Sequence, residues 1–303
     1  MGATAGWLAD GKRMHFQHGP IDLIIESVGA ADSVDLAYRA AWGRFRTVLE
    51  ELVEELPQLR TLCPAEGLGL KGAVARRMEQ ASLPYAGLGM TPMAAVAGAV
   101  ADEILDVMLS AADLERAYVN NGGDIAVHLG AGQRFEIAMV GLSGKPSMLG
   151  KISLRAGDPA GLATSGRHGR SHSLGIADSV TVLAKNAAAA DAAATLIANA
   201  VDLPGSSLVK RAPARDLDPE SDLADRLVTV EVLPLSASEA AQALAAGAAV
   251  AKHFLVDHTI AAAALCLDDQ IRTIGEWPAP AGEIDFSEAK PQSAPRQPEI
   301  SPL

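Results

Sequence analysis

Positive charge is in short supply in this chain. Its 25 Lys and Arg face 37 Asp and Glu, a net charge of −12 over 303 residues. Nucleic acid and anionic lipid surfaces both demand a positive patch, so neither is an expected partner. One small anion held in a local basic loop is not excluded. Cysteine is scarcer still. Cys63 and Cys266 are too few for a metal cluster, and reduced core thiols are the expectation. Aromatics make up only 4% of the chain while glycine numbers 28, so helices should pack closely through small side chains. Long uncharged apolar runs are missing too. Asp102, Glu103 and Asp191 interrupt the most apolar segments, and no membrane span is expected. The first ten residues lack a basic stretch followed by an apolar run, which makes the cytoplasm the expected location. No G-x-G-x-x-G leads from a strand into a helix, so a Rossmann site is not supported.

What is present reads as strands and helices of an α+β layered fold, with antiparallel or mixed sheets and packed Ala/Gly-rich helices. Residues 21–28 read as a strand. Asp32 or Ser33 should then cap a helix to about Leu56, with Leu36, Ala40, Phe45, Leu49, Leu52 and Val53 on one face. Residues 58–90 read as irregular. Thr91-Pro92 looks like a helix start, a hydroxyl cap followed by proline. Strands are expected over 118–120, 124–129, 134–140, 151–155, 179–184, 227–233, 259–267 and 270–274. Helices are expected over 186–201 and 238–255. Residues 202–224 read as an insertion loop. A single domain over 1–275, with room for two lobes, should end in a disordered Pro/Ser-rich tail at 276–303.

Three segments carry candidate chemistry. Asn120-Asn121-Gly122-Gly123-Asp124 links two strands. It is a tight hairpin turn, or a place where missing side chains admit a ligand to the strand edge. Thr164-Ser165-Gly166-Arg167-His168-Gly169-Arg170-Ser171-His172 concentrates hydroxyls, guanidinium groups and imidazoles. Arginine there can pair bidentately with phosphate, and His172 can serve as a general base; the ordinary alternative is a solvated loop. Asp191 and Thr195 lie four apart in an Ala-rich helix, so their oxygens share one face and suit Mg²⁺. On spacing alone the ordinary reading, a surface acid and a threonine bonded to its own helix, outweighs that one. Ser165 has Ala163 where a hydrolase elbow needs glycine, which disfavours a nucleophile there.

Taken together, these segments resemble the ApbE family of FAD:protein FMN transferases. Asn120 to Ile125 resembles its Asn-x-Gly-Gly-Asp-Ile motif. Ala163-Thr164-Ser165-Gly166 is similar to its Ser/Ala-Thr-Ser-Gly. Ser179-Val180-Thr181-Val182 with Ala190-Asp191 and Thr195 resembles its third signature. The order agrees over about residues 85–202. Residues 89–98 and 120–125 are closer to an uncharacterised family of smaller cytoplasmic proteins allied to ApbE. The resemblance implies Mg²⁺ on Asp191 and Thr195, FAD or a related nucleotide along Asn120, Gly122, Gly123, Asp124, Thr164, Ser165, Gly166 and Arg167, and His172 as base.

Transfer of FMN to a hydroxyl, on a protein acceptor, is the most concrete activity it implies. The alternatives are a non-catalytic flavin or nucleotide binder and a cofactor-biosynthesis enzyme reusing the phosphate site. Several departures bear on this choice. Thr91-Pro92-Met93-Ala94-Ala95 carries no counterpart of the family's lysine. The His-x-Ile-x-Asp-Pro-x-Thr-Gly segment shrinks to residues 172–178, where Asp178 stands as a replacement acid. No counterpart of the flavin-covering N-terminal lobe is recognisable. The small-residue helices are also compatible with a homodimer interface.

Overall fold

The computed structural model describes residues 2–141 and 147–278. In chain order the strands are β1 (Thr4–Trp7), β2 (Met14–His18), β3 (Ile21–Val28), β4 (Arg116–Asn121), β5 (Asp124–Leu129), β6 (Arg134–Gly141), β7 (Ser147–Arg155), β8 (Gly161–Ser165), β9 (Ser179–Ala184), β10 (Val209–Pro213), β11 (Leu227–Val232), β12 (Ala262–Leu267) and β13 (Gln270–Gly275). The helices are α1 (Ala31–Glu54), α2 (Leu56–Leu59), α3 (Ala73–Ser82), α4 (Val96–Ala111), α5 (Ala187–Ala200), α6 (Ala214–Leu217) and α7 (Ala237–Val256).

Nine strands form one sheet in the order β1-β2-β3-β4-β5-β8-β9-β12-β13, with β6-β7 and β10-β11 as separate ribbons. Every pairing is antiparallel, which narrows the expected antiparallel or mixed sheet to the first kind. The fold class is α+β, as the patterning indicated. Helices α1, α4, α5 and α7 pack on one face of the sheet and enclose the main core. On the other face, Ile152 and Leu154 of β7 bury themselves against Val127, Leu162, Leu183, Ala262 and Ala264. Strands β5, β8, β9 and β12 are thus covered on both faces, which is why they read as apolar runs rather than as alternation.

Local chemistry accounts for most elements. In α1 the buried positions Ala37, Tyr38, Ala41, Phe45, Val48 and Leu52 keep a helical spacing. Asn186 caps α5 through its side-chain oxygen, and Ser236 with Glu239 forms a capping box on α7. The alanines of α5 are nearly all buried, so this helix is a central spacer with almost no side-chain thickness.

The reading needs correcting in five places. Helix α1 starts at Ala31 with Ala30 as its N-cap rather than Asp32 or Ser33, and Leu36 and Val53, expected on its apolar face, are exposed. Residues 58–90 are not irregular throughout, since α3 buries Val74, Ala75, Met78 and Ala81 at helical spacing. Strands β1 and β2 precede the first expected strand; β1 is wholly exposed at the sheet edge and shows no alternation to read. The loop 202–224 contains β10 and α6. Thr91 does not cap a helix. Its hydroxyl bonds Asp222 Oδ2 at 2.5 Å, and a 3-10 turn over Pro92–Ala95 precedes α4. A charged acceptor from the insertion outcompetes the helix amides for that hydroxyl. Of the expected tail, Trp277 packs on the β7 side of the sheet and the Pro278 carbonyl accepts from the Ser153 amide at 3.1 Å. Residues 279–303 lie outside the described residues.

Candidate functional site

The site begins at the β4–β5 turn, where Asn121 pairs with Asp124 in register. Gly122 (φ 66°) and Gly123 (φ 117°) both sit in the left-handed region, so the turn requires two residues without Cβ. Asn120 Oδ1 accepts from the Gly123 amide at 2.8 Å, which fixes the turn. Asn121 is buried and its Nδ2 donates to the Ala97 carbonyl at 3.1 Å, clamping the turn to the start of α4. Asp124, also buried, accepts from the Thr164 amide of β8 at 3.1 Å. Two segments 40 residues apart in sequence are thereby joined directly. The Thr164 hydroxyl bonds that of Thr181 at 2.9 Å, and Ser165 pairs with Val180.

Asp191 reaches the same place from α5. Its Oδ2 accepts from the Gly98 amide at 3.0 Å in the first turn of α4. Asp102 of α4 returns the favour to α5, accepting from the Ala187 and Ala188 amides at 3.0 and 2.9 Å. Each helix thus supplies the carboxylate that caps the other's N-terminus, where the dipole is positive and the amides lack partners. The exchange works because nothing separates the helices: a Cβ on Gly98 would stand 2.3 Å from the Ala187 carbonyl oxygen. Thr195, one turn beyond Asp191, is half-buried, and its hydroxyl is not hydrogen-bonded among the described residues.

Burial raises all three acids. Asp102 is pushed up to about 6 against its two amides, and Asp124 to about 7 against the Thr164 amide. Asp191 is raised well above the ordinary carboxylate range, first by burial and then by repulsion from Asp124. Native protein therefore holds protons on these groups at a pH where the unfolded chain has released them. Their contribution is most favourable near pH 4 and is lost as pH rises through 6 to 7. Thermal melts from pH 5 to pH 8 should show the melting temperature falling, and Asp124→Asn should flatten that slope. An unchanged slope in the variant would mean that the Asp124 carboxyl does not titrate in this window.

The basic loop is organised around an acid, Asp178, that is 1% exposed. Its Oδ1 takes Arg167 through Nη2 at 2.6 Å and Nε at 2.8 Å, and His168 at 3.1 Å. Its Oδ2 accepts from the Asp268 amide at 2.7 Å. Gly166 serves packing here, since a Cβ would lie 2.4 Å from the Asp178 carbonyl oxygen. Arg167, expected on phosphate, is therefore engaged within the protein. Arg170 and His172 are left without a side-chain partner among the described residues.

Asp124, Asp191 and the Gly122–Gly123 turn thus come together around the start of α4. Thr164 adjoins them through its amide, and Arg167 does not share their hydrogen bonds. Sequence reasoning placed Asn121 and Arg170 in the candidate segments without a role of their own, and gave Asp102 no part in the site. A visible signal was the pair Asp102-Glu103 inside an otherwise apolar helix, whose carboxylates have to find donors somewhere. Among the described residues no three His, Cys, Asp or Glu side chains are grouped to hold a metal. Two adjacent carboxylates and a nearby hydroxyl still form an all-oxygen donor set of the kind Mg²⁺ accepts when a ligand's phosphates and water complete its shell.

A family model described as AbpE bacteria matches residues 5–273. A UPF0280 protein of Methanopyrus kandleri is 34% identical over 177 residues, covering 57% of this chain and 66% of that one. One from Archaeoglobus fulgidus is 32% identical over 188 residues, covering 61% and 75%. A third, from Methanobrevibacter smithii, is 40% identical over 131 residues. The matches span between about half and three-quarters of these curated relatives. Among solved structures, a variant of the flavin transferase ApbE from Vibrio cholerae aligns over 90% of this chain and 97% of its own, at 13% identity and TM-score 0.44. The flavinyl transferase ApbE of Pseudomonas stutzeri covers 90% and 93%, with TM-score 0.41. Among the described residues no helix is long and apolar enough to cross a membrane.

Proposed function

Because this chain belongs to the AbpE bacteria family, we propose that it handles FAD or a related dinucleotide together with Mg²⁺, and in its most concrete form transfers FMN to a hydroxyl acceptor. The observation that carries the reading is the meeting of Asp124 and Asp191 at the start of α4. Asp124 is buried there and Asp191 half-buried, and neither forms an ion pair with a basic side chain among the described residues. Such a pair is costly to bury, and a divalent cation offsets that cost.

Asp124, Asp191 and Thr195 would hold the cation. When bound, Mg²⁺ would neutralise pyrophosphate charge as it develops on the leaving group. The diglycine turn leaves its backbone open to a close approach. Thr164 and Ser165 offer hydroxyls at the adjoining strand end. His172 would take the proton from a Ser or Thr hydroxyl on the acceptor. That oxygen would bond to the FMN-side phosphorus, the bridging P–O bond would break, and AMP would leave with the electron pair.

Incubation with FAD and MgCl₂ tests this. Release of AMP, with FMN retained on an acceptor, is the expected result. Asp191→Asn should weaken Mg²⁺-dependent FAD binding by roughly tenfold or more, as loss of a ligand does. Unchanged binding by calorimetry would take Asp191 out of the site.

A second reading is a nucleotide binder without turnover. It is favoured by His172, to which no carboxylate or carbonyl among the described residues lends the orientation a general base ordinarily has. FAD bound without AMP release would select it. The third reading, a biosynthetic enzyme acting on another phosphorylated cofactor, predicts that a different ligand co-purifies and is seen by mass spectrometry.

A further inference from the structure

Four guanidinium and imidazole groups lie between residues 167 and 172, and the fold treats them unequally. Arg167 and His168 are both consumed by Asp178. Arg170 is exposed and forms no ion pair among the described residues. It does not extend into open solvent, however. Its guanidinium lies over the β4–β5 turn, with Cζ and Nη1 each 3.7 Å from where a Cβ of Gly122 would be. The backbone of that turn leads directly into Asp124, and Asn121 in the same turn holds the Ala97 carbonyl beside the amides that bind Asp191. A guanidinium and two carboxyl groups thus adjoin one turn, yet no ion pair joins them among the described residues. Gly122 and Asp124 are two residues apart, at most roughly 7 Å of chain. A cation on the carboxylates followed by an anion under the guanidinium would complete the alternation of charge.

We propose that Arg170, rather than Arg167, is the side chain that grips phosphate oxygens of a metal-chelated, phosphorylated ligand, over the Gly122–Gly123 turn. This rests on the Mg²⁺–dinucleotide reading of the site and names the group that recognises the diphosphate. Guanidinium geometry suits a fork of two bonds to a phosphate, which an ammonium cannot reproduce. Glycine at 122 leaves the turn flat beneath the guanidinium. Asp178, by removing Arg167 and His168 from competition, fixes the root of the loop from which Arg170 extends.

Calorimetry on the full chain, with MgCl₂ alone, Mg²⁺ with inorganic pyrophosphate, and Mg²⁺ with ADP, separates the possibilities. Arg170→Ala should weaken both phosphorylated probes by roughly tenfold or more, leaving Mg²⁺ affinity and the melting temperature unchanged. Arg170→Lys should fall between the two. Salt should weaken the wild-type interaction more than that of Arg170→Ala. The proposal is overturned if Arg170→Ala binds both probes as wild type does, or if it loses Mg²⁺ alone and pyrophosphate equally. Wild type that binds Mg²⁺ but neither probe also overturns it, while sparing the metal site. Wild type that binds none of the three removes the underlying reading and this proposal together.

Discussion

Replacing Gly98 by alanine should destabilise the protein by about 3 kcal/mol or more, although alanine is the better helix former. The added methyl would stand 2.3 Å from the Ala187 carbonyl oxygen, 2.4 Å from its carbon and 2.7 Å from the Ala188 nitrogen. These are backbone atoms, so no rotamer change relieves the contact and the two helices must part. Separation would stretch the Asp191 bond to Gly98 and both Asp102 bonds to α5, leaving buried carboxylates short of donors. Denaturant melts would measure the loss. Gly43→Ala supplies the control, because Gly43 lies on the exposed face of α1 with no atom within 4 Å of its would-be Cβ. There the same substitution should stabilise by about 0.5–1 kcal/mol. Equal effects at the two positions would refute the close approach of α4 to α5.

Arg167→Ala should cost about 3–5 kcal/mol, the range for stripping one partner from a buried ion pair. Arg167 is 20% exposed and Asp178 1%, so the carboxylate would remain buried with His168 and the Asp268 amide as its side-chain hydrogen-bond partners among the described residues. The loss should show first in the melting temperature. A second substitution, Asp178→Asn, made on top of Arg167→Ala should recover part of it by removing the uncompensated charge. If Arg167→Ala instead melts like wild type and only ligand binding suffers, Arg167 faces the ligand and the ion pair contributes nothing to the fold.

Much of the architecture was legible because its causes are local. The Asn-Asn-Gly-Gly-Asp segment specifies a hairpin within its own residues, since only glycine takes φ values of 66° and 117° in succession without strain. Helix α5 follows from alanine propensity and an Asn186 cap, and α7 from a capping box. Strand β9 spans Ser179–Ala184, the same residues the pattern indicated. Helix α3 escaped notice although its buried residues keep helical spacing, because glycines and prolines on either side dominated the reading of 58–90. Thr91 misled for another reason. A hydroxyl before proline is a sound cap signal, but Asp222, 131 residues away, outbids the helix for it.

By itself the sequence determined the turn, the long helices α1, α5 and α7, the apolar strands and the order of three motifs. Propensity, capping and periodicity operate over a few neighbouring residues, and those residues were in view. Only the tertiary structure decided which polar groups meet. Asp191 bonds an amide 93 residues away, Asp102 one 85 residues away and Asp124 one 40 residues away. These meetings follow from strand order, with β5 beside β8, and from a contact between α4 and α5 too close for a methyl group. The same long-range packing spent Arg167 on Asp178 and left Arg170 over the turn. A side chain's chemistry is written in its residue type, but whether it is still available for a ligand depends on which partners the folded chain brings within about 3 Å of it.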